Sequence, residues 1–531
     1  MVQRAIPIPE PARMRFLAKL AAGLGLLAFG DWLFYGYWGG AVIGIFALAW
    51  IAALALTVPA VRRARHGPVA IAAAVAFSLV LVDDPSLLAA CLFLVAIGSV
   101  SLLPRHVYDH AGRWLVRLLT LGGMGIIRAP ADLLRISRLP TGSRSSSKDI
   151  LVQFALPLLG GGLFLILFAN ANPVLGKALG SVRIPGFSTL ILHMMLWAFL
   201  TVLIWPTFRP RAARYSAQEQ SAVVSLPSFP VRTLVTTLIV FNFVFALENA
   251  LDIAFLWSGA PLPADVTLAE YAHRGAYTLI ATALLAGLFV LIAIRPGTPA
   301  AGSTIVRRLL LVWVMQNIFL VASSMLRLFD YIDAYSLTVL RISALLWMLL
   351  VATGLALICW RFLTGRSASW LINANALAAA VVLSLVSVVD LGAVAASWNV
   401  RNLRDPARID LCYLQQLGSP ALLPAIELRK TGATRDLRRR AAVVSEQILA
   451  NVEAEQARWQ GWSWRDARRL ARARAEIAAG LPKPADAPHG TDCDGRPIPP
   501  PPPPESAPPQ PSVEIAPPAP PIAPLTPQEK P

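Results

Sequence analysis

Long apolar runs separated by short polar stretches follow one another along the chain as far as about residue 397. A membrane-spanning α-helix needs about 20 predominantly apolar residues, with a range of about 17–25. By this measure the pattern predicts about eleven spans. The run at 69–82 is short, so whether it crosses fully stays open. The predicted spans are residues 15–34, 38–57, 69–82, 86–103, 150–169, 187–208, 231–253, 272–294, 309–328, 337–362 and 370–397.

Composition supports a membrane protein. Of the 531 residues, 56% are hydrophobic and only 15% are charged, whereas soluble domains are about 25% charged. The net charge of +17 would suggest nucleic acid in a soluble chain. Here, however, Lys and Arg lie mainly in short loops between apolar runs. We therefore predict an all-α, polytopic transmembrane helical bundle whose partners include membrane lipids and no nucleic acid.

The distribution of basic residues predicts the orientation of the bundle. Loops on the N-terminal side are rich in Arg, while the opposite loops keep little beyond Lys177, Arg183 and Arg274. Because basic loops stay in the cytoplasm, we expect a cytoplasmic N-terminus in a bacterial inner membrane. An odd number of spans then places the C-terminus in the periplasm. The first run has no small-residue cleavage site and is predicted to be an uncleaved span.

The composition changes after the last apolar run. We predict a transmembrane bundle over residues 1–397, a small extramembrane helical domain over 398–480 and a disordered Pro-rich tail over 481–531. Within the bundle, segment 105–148 has the pattern of a basic amphipathic stretch on the membrane surface. Cys412 and Cys493 both lie in the part predicted to be external. Whether they pair in that oxidising compartment stays open.

Ionisable residues within the apolar runs gather at the predicted outer ends of the spans. Charges at such depth are costly unless they pair or face water, and they often mark function. The turn at 327–341 is the richest in them. We expect its Arg327 and Arg341 to pair with Glu248, Asp252 or Asp390. The predicted polar pocket, open to the periplasm, consists of Glu248, Asp252, His273, Arg274, Arg327, Asp330, Asp333, Arg341 and Asp390.

Several interpretations of these charges are open. In the first, the charges form structural ion pairs beside an aromatic belt. In the second, they form a binding or transport site. In the third, the protein is an envelope enzyme that uses Glu248 or Asp252 as general base. No catalytic or nucleotide-binding motif supports the enzyme, and we predict no metal or cofactor. His193-Met194-Met195 indicates ordinary packing, because contiguous residues do not share a helix face.

Of these interpretations, the pattern favours recognition or translocation of a polar, anionic or lipid-linked solute. In a binding site of that kind, Arg274, Arg327 and Arg341 would hold an anionic group. The alternative is a non-catalytic envelope sensor or scaffold acting through the C-terminal domain. The oligomeric state cannot be inferred from the sequence.

Several motifs resemble those of a known family. They are Asp330-Tyr-Ile-Asp-Ala-Tyr-Ser-Leu-Thr-Val-Leu-Arg341, Glu270-Tyr-Ala-His-Arg-Gly275, Asp31-x-Leu-Phe34, Trp398-Asn-Val-Arg-Asn402 and Ile409-Asp-Leu-x-Tyr-Leu414. Together they are similar to bacterial polytopic membrane proteins of the DUF-4173/4153 type. The resemblance extends to about Leu428. It implies a membrane protein and no particular biochemistry, because that family is of unknown function.

Overall fold

The computed structural model describes residues 10–125, 132, 187–210, 230–257, 282, 285, 289, 302–402, 409–481, 484 and 490–498. These residues form helices and no strand, apart from one isolated β-bridge between Thr491 and Pro497. The helices are α1 (Glu10–Phe34), α2 (Val42–Thr57), α3 (Ala60–Arg63), α4 (Gly67–Asp83), α5 (Leu87–Leu102), α6 (Ala111–Gly123), α7 (Phe187–Phe208), α8 (Val231–Asp252), α9 (Thr304–Tyr335), α10 (Val339–Thr364), α11 (Ala368–Val388), α12 (Leu391–Arg401), α13 (Leu411–Leu417), α14 (Leu422–Thr431), α15 (Arg435–Ala457) and α16 (Trp464–Ala478).

The all-helical fold is confirmed, and the apolar helices make the chain a multi-pass membrane protein. Among the described residues, 6 helices are long and apolar enough to span a bilayer, namely α1 and α7 to α11. The shorter apolar helices α2, α4 and α5 coincide with further predicted spans. The predicted total of about eleven is not confirmed. Spans 150–169 and 272–294 fall outside the described residues, except for positions 282, 285 and 289.

The membrane helices form two packed groups. Helices α1, α2, α4, α5 and α7 surround a core that includes Leu33, Phe46 and Phe208. Helices α8 to α11 share a second core that includes Leu310 and Trp313. Helix α11 contacts α5 and α6, which joins the two groups.

Helix α6 is the described part of the predicted amphipathic segment. Its Trp114 and Leu121 are buried, while Arg113 is exposed. The indole Nε1 of Trp114 donates to Ser99 Oγ of α5 at 3.0 Å. Helix α6 therefore packs against the bundle through Trp114 and Leu121 and turns Arg113 outward, while Arg117 is mostly buried and pairs with Asp109 at 3.0 Å.

Two helix boundaries differ from the prediction. Helix α9 continues to Tyr335, so the expected turn at 327–341 shrinks to the few residues around Ser336, whose φ is 69°. Helix α11 ends at Val388 instead of continuing to 397. The cause is Asp390, whose Oδ1 accepts from the backbone N–H of Ala393 at 2.9 Å and starts α12. Local capping outweighs the apolar run here, and Asp390 lies between two helices and not within a span.

Helices α12 to α16 form the C-terminal domain around a core of their own, which includes Leu411, Leu422 and Val444. The predicted boundary at 397/398 falls within α12, which contributes to this core. The side chain of Thr434 caps α15 by accepting from Leu437 N–H at 3.1 Å. A disulfide joins Cys412 to Cys493, so the pairing that the sequence left open is present. The predicted tail at 481–531 is described only at 481, 484 and 490–498.

The C-terminal domain covers one end of the bundle. The amide of Asn399 bonds both backbone groups of Leu337 in the α9–α10 turn, at 2.7 and 2.8 Å. The hydroxyl of Tyr413 accepts from Val339 N–H at 2.9 Å. In the α1–α2 turn, Ala41 N–H donates to Trp462 O at 2.6 Å. The turns that end α1 and α9 therefore lie on the same side of the bundle, beneath this domain.

Candidate functional site

A stripe of polar side chains lies between α8 and α9. Asn242 donates to Leu309 O at 3.0 Å and accepts from Gln316 Nε2 at 2.9 Å. Asn249, two turns further along α8, is buried and donates to Gln316 O at 3.5 Å. The stripe exists because both helices place amides on the faces through which they pack.

The stripe ends at a buried ion pair. Arg327 Nη2 donates to Asp252 Oδ1, and the two side chains are only 7% and 2% exposed. Neither charge is stable alone in such a place, because burial costs several kcal/mol per ion without a partner. The structure thus brings together two residues that the sequence predicted to pair.

The helix geometry changes immediately beyond Asp252. Residues Ile253–Trp257 continue α8 as a π-helical turn. Trp257 Nε1 from this turn donates to Ser323 Oγ, which is fully buried, at 3.1 Å. Short π-helical segments occur frequently at functional sites. The turn therefore adds a local signal for function beside the ion pair.

Several buried oxygens along the stripe carry hydrogen-bonding capacity that the described residues do not use. Asp252 Oδ2, Asn249 Oδ1 and Gln316 Oε1 accept no hydrogen bond from any described residue. Buried acceptors ordinarily have a donor. The stripe can therefore accept hydrogen bonds from a group that bears N–H or O–H.

The other predicted pocket residues of these helices lie elsewhere. Glu248 is exposed, so it does not share the buried position of Asp252 one turn away. Asp330 and Asp333 are exposed on the last turns of α9. His273 and Arg274 fall outside the described residues.

Arg341 stabilises the α9–α10 turn. Its guanidinium donates to Tyr335 O at 2.6 Å and to Ser336 O, and lies 4.2 Å from the ring centroid of Tyr331. The expected pairing of Arg341 with Glu248, Asp252 or Asp390 is not what its hydrogen bonds show. The reason is local: the last carbonyls of a helix lack partners within the helix and attract a nearby cation.

Asp390 belongs to a second charged site, which we name the junction cluster. It joins the C-terminal domain to the bundle and consists of Asp83, Asp84, Asp390, Arg465 and Arg469. Arg465 pairs with Asp83 at 2.8 Å and with Asp84 at 2.7 Å, where α4 ends. Arg469 pairs with Asp390. Asp390 was predicted to line the pocket with Arg327 or Arg341, and it pairs with α16 instead.

Burial within the junction cluster shifts the ionisation of neighbouring groups. Asp466 accepts from Arg469 Nη1 at 2.9 Å and from Ser419 Oγ. Burial, with the nearby negative charge of Asp84, still raises the pKa of the Asp466 carboxyl above its ordinary value. Burial also lowers the pKa of Arg469. These charges are held by one another and not by solvent.

No pattern in the sequence predicted the junction cluster. Asp83-Asp84 lies in a short turn between two apolar runs, and Arg465 lies in a basic helix that reads as a solvent-exposed surface. Arg465 and Asp83 are 382 residues apart in the chain. The available local signals were the adjacent acids Asp83 and Asp84 and the helix cap Ser463 that precedes Arg465, and neither signal identifies a partner.

Residues 69–428 match the model of a family described as "Domain of unknown function (DUF4153)", which is more than half of the chain. No curated protein and no solved structure matches. Within the described residues, no group of at least 3 His, Cys, Asp or Glu side chains could hold a metal ion.

Proposed function

Since the chain belongs to the DUF4153 family, whose description names no activity, we propose a function from the geometry of the polar stripe. The protein recognises or translocates a polar solute that carries an anionic group, either small or lipid-linked. The observation that carries this proposal is the buried Asp252–Arg327 pair. Ionisable residues at such depth in a membrane protein commonly mark substrate or proton pathways.

The pair offers a direct route to anion binding. A carboxylate or phosphate of the solute would compete with the Asp252 carboxylate for the Arg327 guanidinium. The acceptor oxygens of Asn249 and Gln316 lie along the same stripe and suit the hydroxyl or amine groups of a solute.

The proposed orientation is that of the sequence analysis. The N-terminus is cytoplasmic in a bacterial inner membrane, and the C-terminal domain and the end of the stripe at Arg327 face the periplasm. The basic loops support this orientation. The Cys412–Cys493 disulfide supports it independently, because disulfides persist in oxidising compartments.

The test uses the full chain in nanodiscs of neutral lipid, with inorganic phosphate as the probe anion. Asp252→Asn removes the carboxylate that Arg327 Nη2 contacts, and we expect a loss of about 3–5 kcal/mol in stability. Phosphate should restore much of that loss and raise the melting temperature of the variant more than that of the wild type. The measurement is thermal unfolding against phosphate concentration.

Two further variants separate function from structure. The double substitution Asp252→Leu with Arg327→Met removes both charges and should fold, since apolar replacement of a buried pair is often neutral or stabilising. It should show no specific phosphate response. Arg308→Gln, an exposed Arg on the same helix, should behave as the wild type. The proposal is wrong if the uncharged double variant responds to phosphate as strongly as Asp252→Asn does.

A second candidate function has one specific observation in its favour. The junction cluster fixes the C-terminal domain on the end of the bundle, as an envelope sensor or scaffold acting through that domain would require. In this case function depends on how the domain is docked. Arg465→Ala, which removes the residue that pairs with Asp83 and Asp84, tests that dependence.

A further inference from the structure

An apolar groove lies between the end of α1 and one face of α7. Its volume is about 650 Å³, and its walls include Phe34, Trp38, Met195 and Phe199. Aromatic side chains in the walls pack against one another. Phe34 stacks on Trp38 with ring centroids 5.3 Å apart, and Trp38 meets Phe199 edge to face at 5.7 Å. The volume is in the range of about 300–1,000 Å³ typical of small-molecule sites. It is far from α8 and α9 in sequence and belongs to the other core.

The surroundings of the groove indicate what occupies it. Both α1 and α7 are long and apolar enough to span a membrane, so hydrocarbon chains contact their exposed faces. Trp32, Trp38 and Trp459 are all exposed at this end, and Trp32 stacks on Trp459 at 4.9 Å. Exposed tryptophans are typical of the level where lipid chains meet their headgroups. The groove therefore opens at headgroup level.

A positive charge lies beside Tyr37, which stands in the chain between the lining residues Gly36 and Trp38. The guanidinium of Arg458 lies 6.0 Å from the ring centroid of Tyr37, in the turn that follows α1. Among the described residues Arg458 has no acidic partner, and its side chain is exposed. A guanidinium at the interface is well suited to a phosphate oxygen.

A second polar group stands at the wall. His193 Nδ1 is 2.7 Å from Asp31 Oδ1, and its ring stacks on Tyr35 with centroids 3.7 Å apart. Tyr35 itself lines the groove. Because Asp31 orients the imidazole through Nδ1, Nε2 is the nitrogen left for another partner.

We propose that this groove binds one acyl chain of an anionic phospholipid, whose phosphate Arg458 holds at the rim. His193 is the second polar group within reach of the headgroup. This site lies on α1 and α7 and goes beyond the proposed function of α8 and α9. The two proposals fail separately, because no residue is shared between them.

The experiment uses photoactivatable lipids with the full chain in phosphatidylcholine nanodiscs. One sample contains a trace of phosphatidylglycerol with a diazirine on its acyl chain, and the other contains the matching phosphatidylcholine. After irradiation, mass spectrometry locates the labelled peptides. We expect labelling concentrated on the peptides of Trp38 and Met195, and about fivefold stronger for the anionic lipid.

Matched variants decide the outcome. Met195→Trp fills the groove and should reduce its labelling severalfold, while Met194→Trp, at an exposed neighbour outside the groove, should not. Leu192→Trp is a second groove-filling variant in case the first does not fold. Arg458→Gln should bring the two lipids to equal labelling. The lipid site is overturned if labelling is spread evenly over lipid-facing residues, or if it is unchanged in both groove-filling variants. The role of Arg458 is overturned if Arg458→Gln still prefers the anionic lipid.

Discussion

At the scale of single residues, several buried charges in this protein are paired with a partner of opposite sign. Arg327 lies among apolar side chains of α9 and is held by Asp252. Arg469 lies between Asp390 and Asp466. Such pairs are weak evidence for stability, since desolvation offsets most of their attraction. Their retention at these positions is better explained by function or by specific docking.

Asp466 provides a pH-dependent test of the junction cluster. Because burial raises its folded-state pKa above the ordinary 3.8, its contribution to stability is present below that value and is lost as pH rises through the folded pKa. The stability of the wild type relative to Asp466→Asn should therefore be greatest below about pH 3.8 and fall as the pH rises through the folded-state pKa. Thermal unfolding of both proteins over this pH range measures it. If the difference in stability between the wild type and Asp466→Asn does not change with pH, the raised pKa of Asp466 is contradicted.

At the scale of elements, α16 is the helix that attaches the C-terminal domain to the membrane bundle. Its Arg465, Arg468 and Arg469 contact acidic residues that lie at the ends of other elements. Arg465 also donates to Val388 O at 2.9 Å, at the end of α11. One helix thus holds the ends of α4 and α11 in a fixed relation.

Removing Arg465 should loosen this attachment. Arg465→Ala leaves Asp83 and Asp84 without their shared partner, and we expect a loss of about 2–3 kcal/mol in docking. Hydrogen exchange should quicken in the Trp459–Trp464 segment and in the α4–α5 turn, while the disulfide-closed domain keeps its own protection. Arg472→Ala, an exposed Arg two turns further along α16, is the control.

The same variants test the second candidate function. If the protein is a sensor or scaffold that acts through docking, cells that carry Arg465→Ala at normal protein level should show the phenotype of cells that lack the protein. Cells that carry Arg472→Ala should behave as the wild type. Unchanged exchange in Arg465→Ala would show that the junction cluster does not hold the domain. Unchanged phenotype with quickened exchange would remove the support for the scaffold.

At the scale of the whole molecule, the C-terminal domain, the disulfide and the ends of α1, α4 and α9 lie together on one side of the bundle. Gln460 even donates to Leu33 O at 3.0 Å, which satisfies a carbonyl at the end of α1. The described C-terminal domain therefore contacts the bundle on the side where α1, α4 and α9 end.

The disulfide allows this orientation to be measured in cells. If the domain is periplasmic, Cys412 and Cys493 should be oxidised and resist maleimide labelling until they are reduced, whereas Cys91 and Cys359, which are free, should label in denaturant without reduction. Cys412→Ser should cost about 2–4 kcal/mol, because the bond closes a long loop. Complete labelling of all four cysteines without reduction would place the domain in the cytoplasm.

Much of the fold follows from the sequence by itself. The apolar runs determined the membrane helices, and polar residues such as Ser86, Thr338 and Ser463 determined where helices begin, through hydrogen bonds within three residues. The family resemblance, confirmed over 69–428, came from local motifs. The pairing of Asp252 with Arg327 was also within reach, because charges that share a membrane depth have few possible partners.

Apart from that pair, the contacts between distant residues were decided by the tertiary structure. In the structure Asp390 pairs with Arg469, and Arg341 donates to the carbonyl oxygens of its own turn. Glu248 is exposed, whereas Asp252 one turn further on is buried. Sequence patterns report on hydrogen bonds and packing within a few residues, whereas the partner of a charge is chosen by which helix ends meet in space. The junction cluster and the groove between α1 and α7 exist only because those helices pack together.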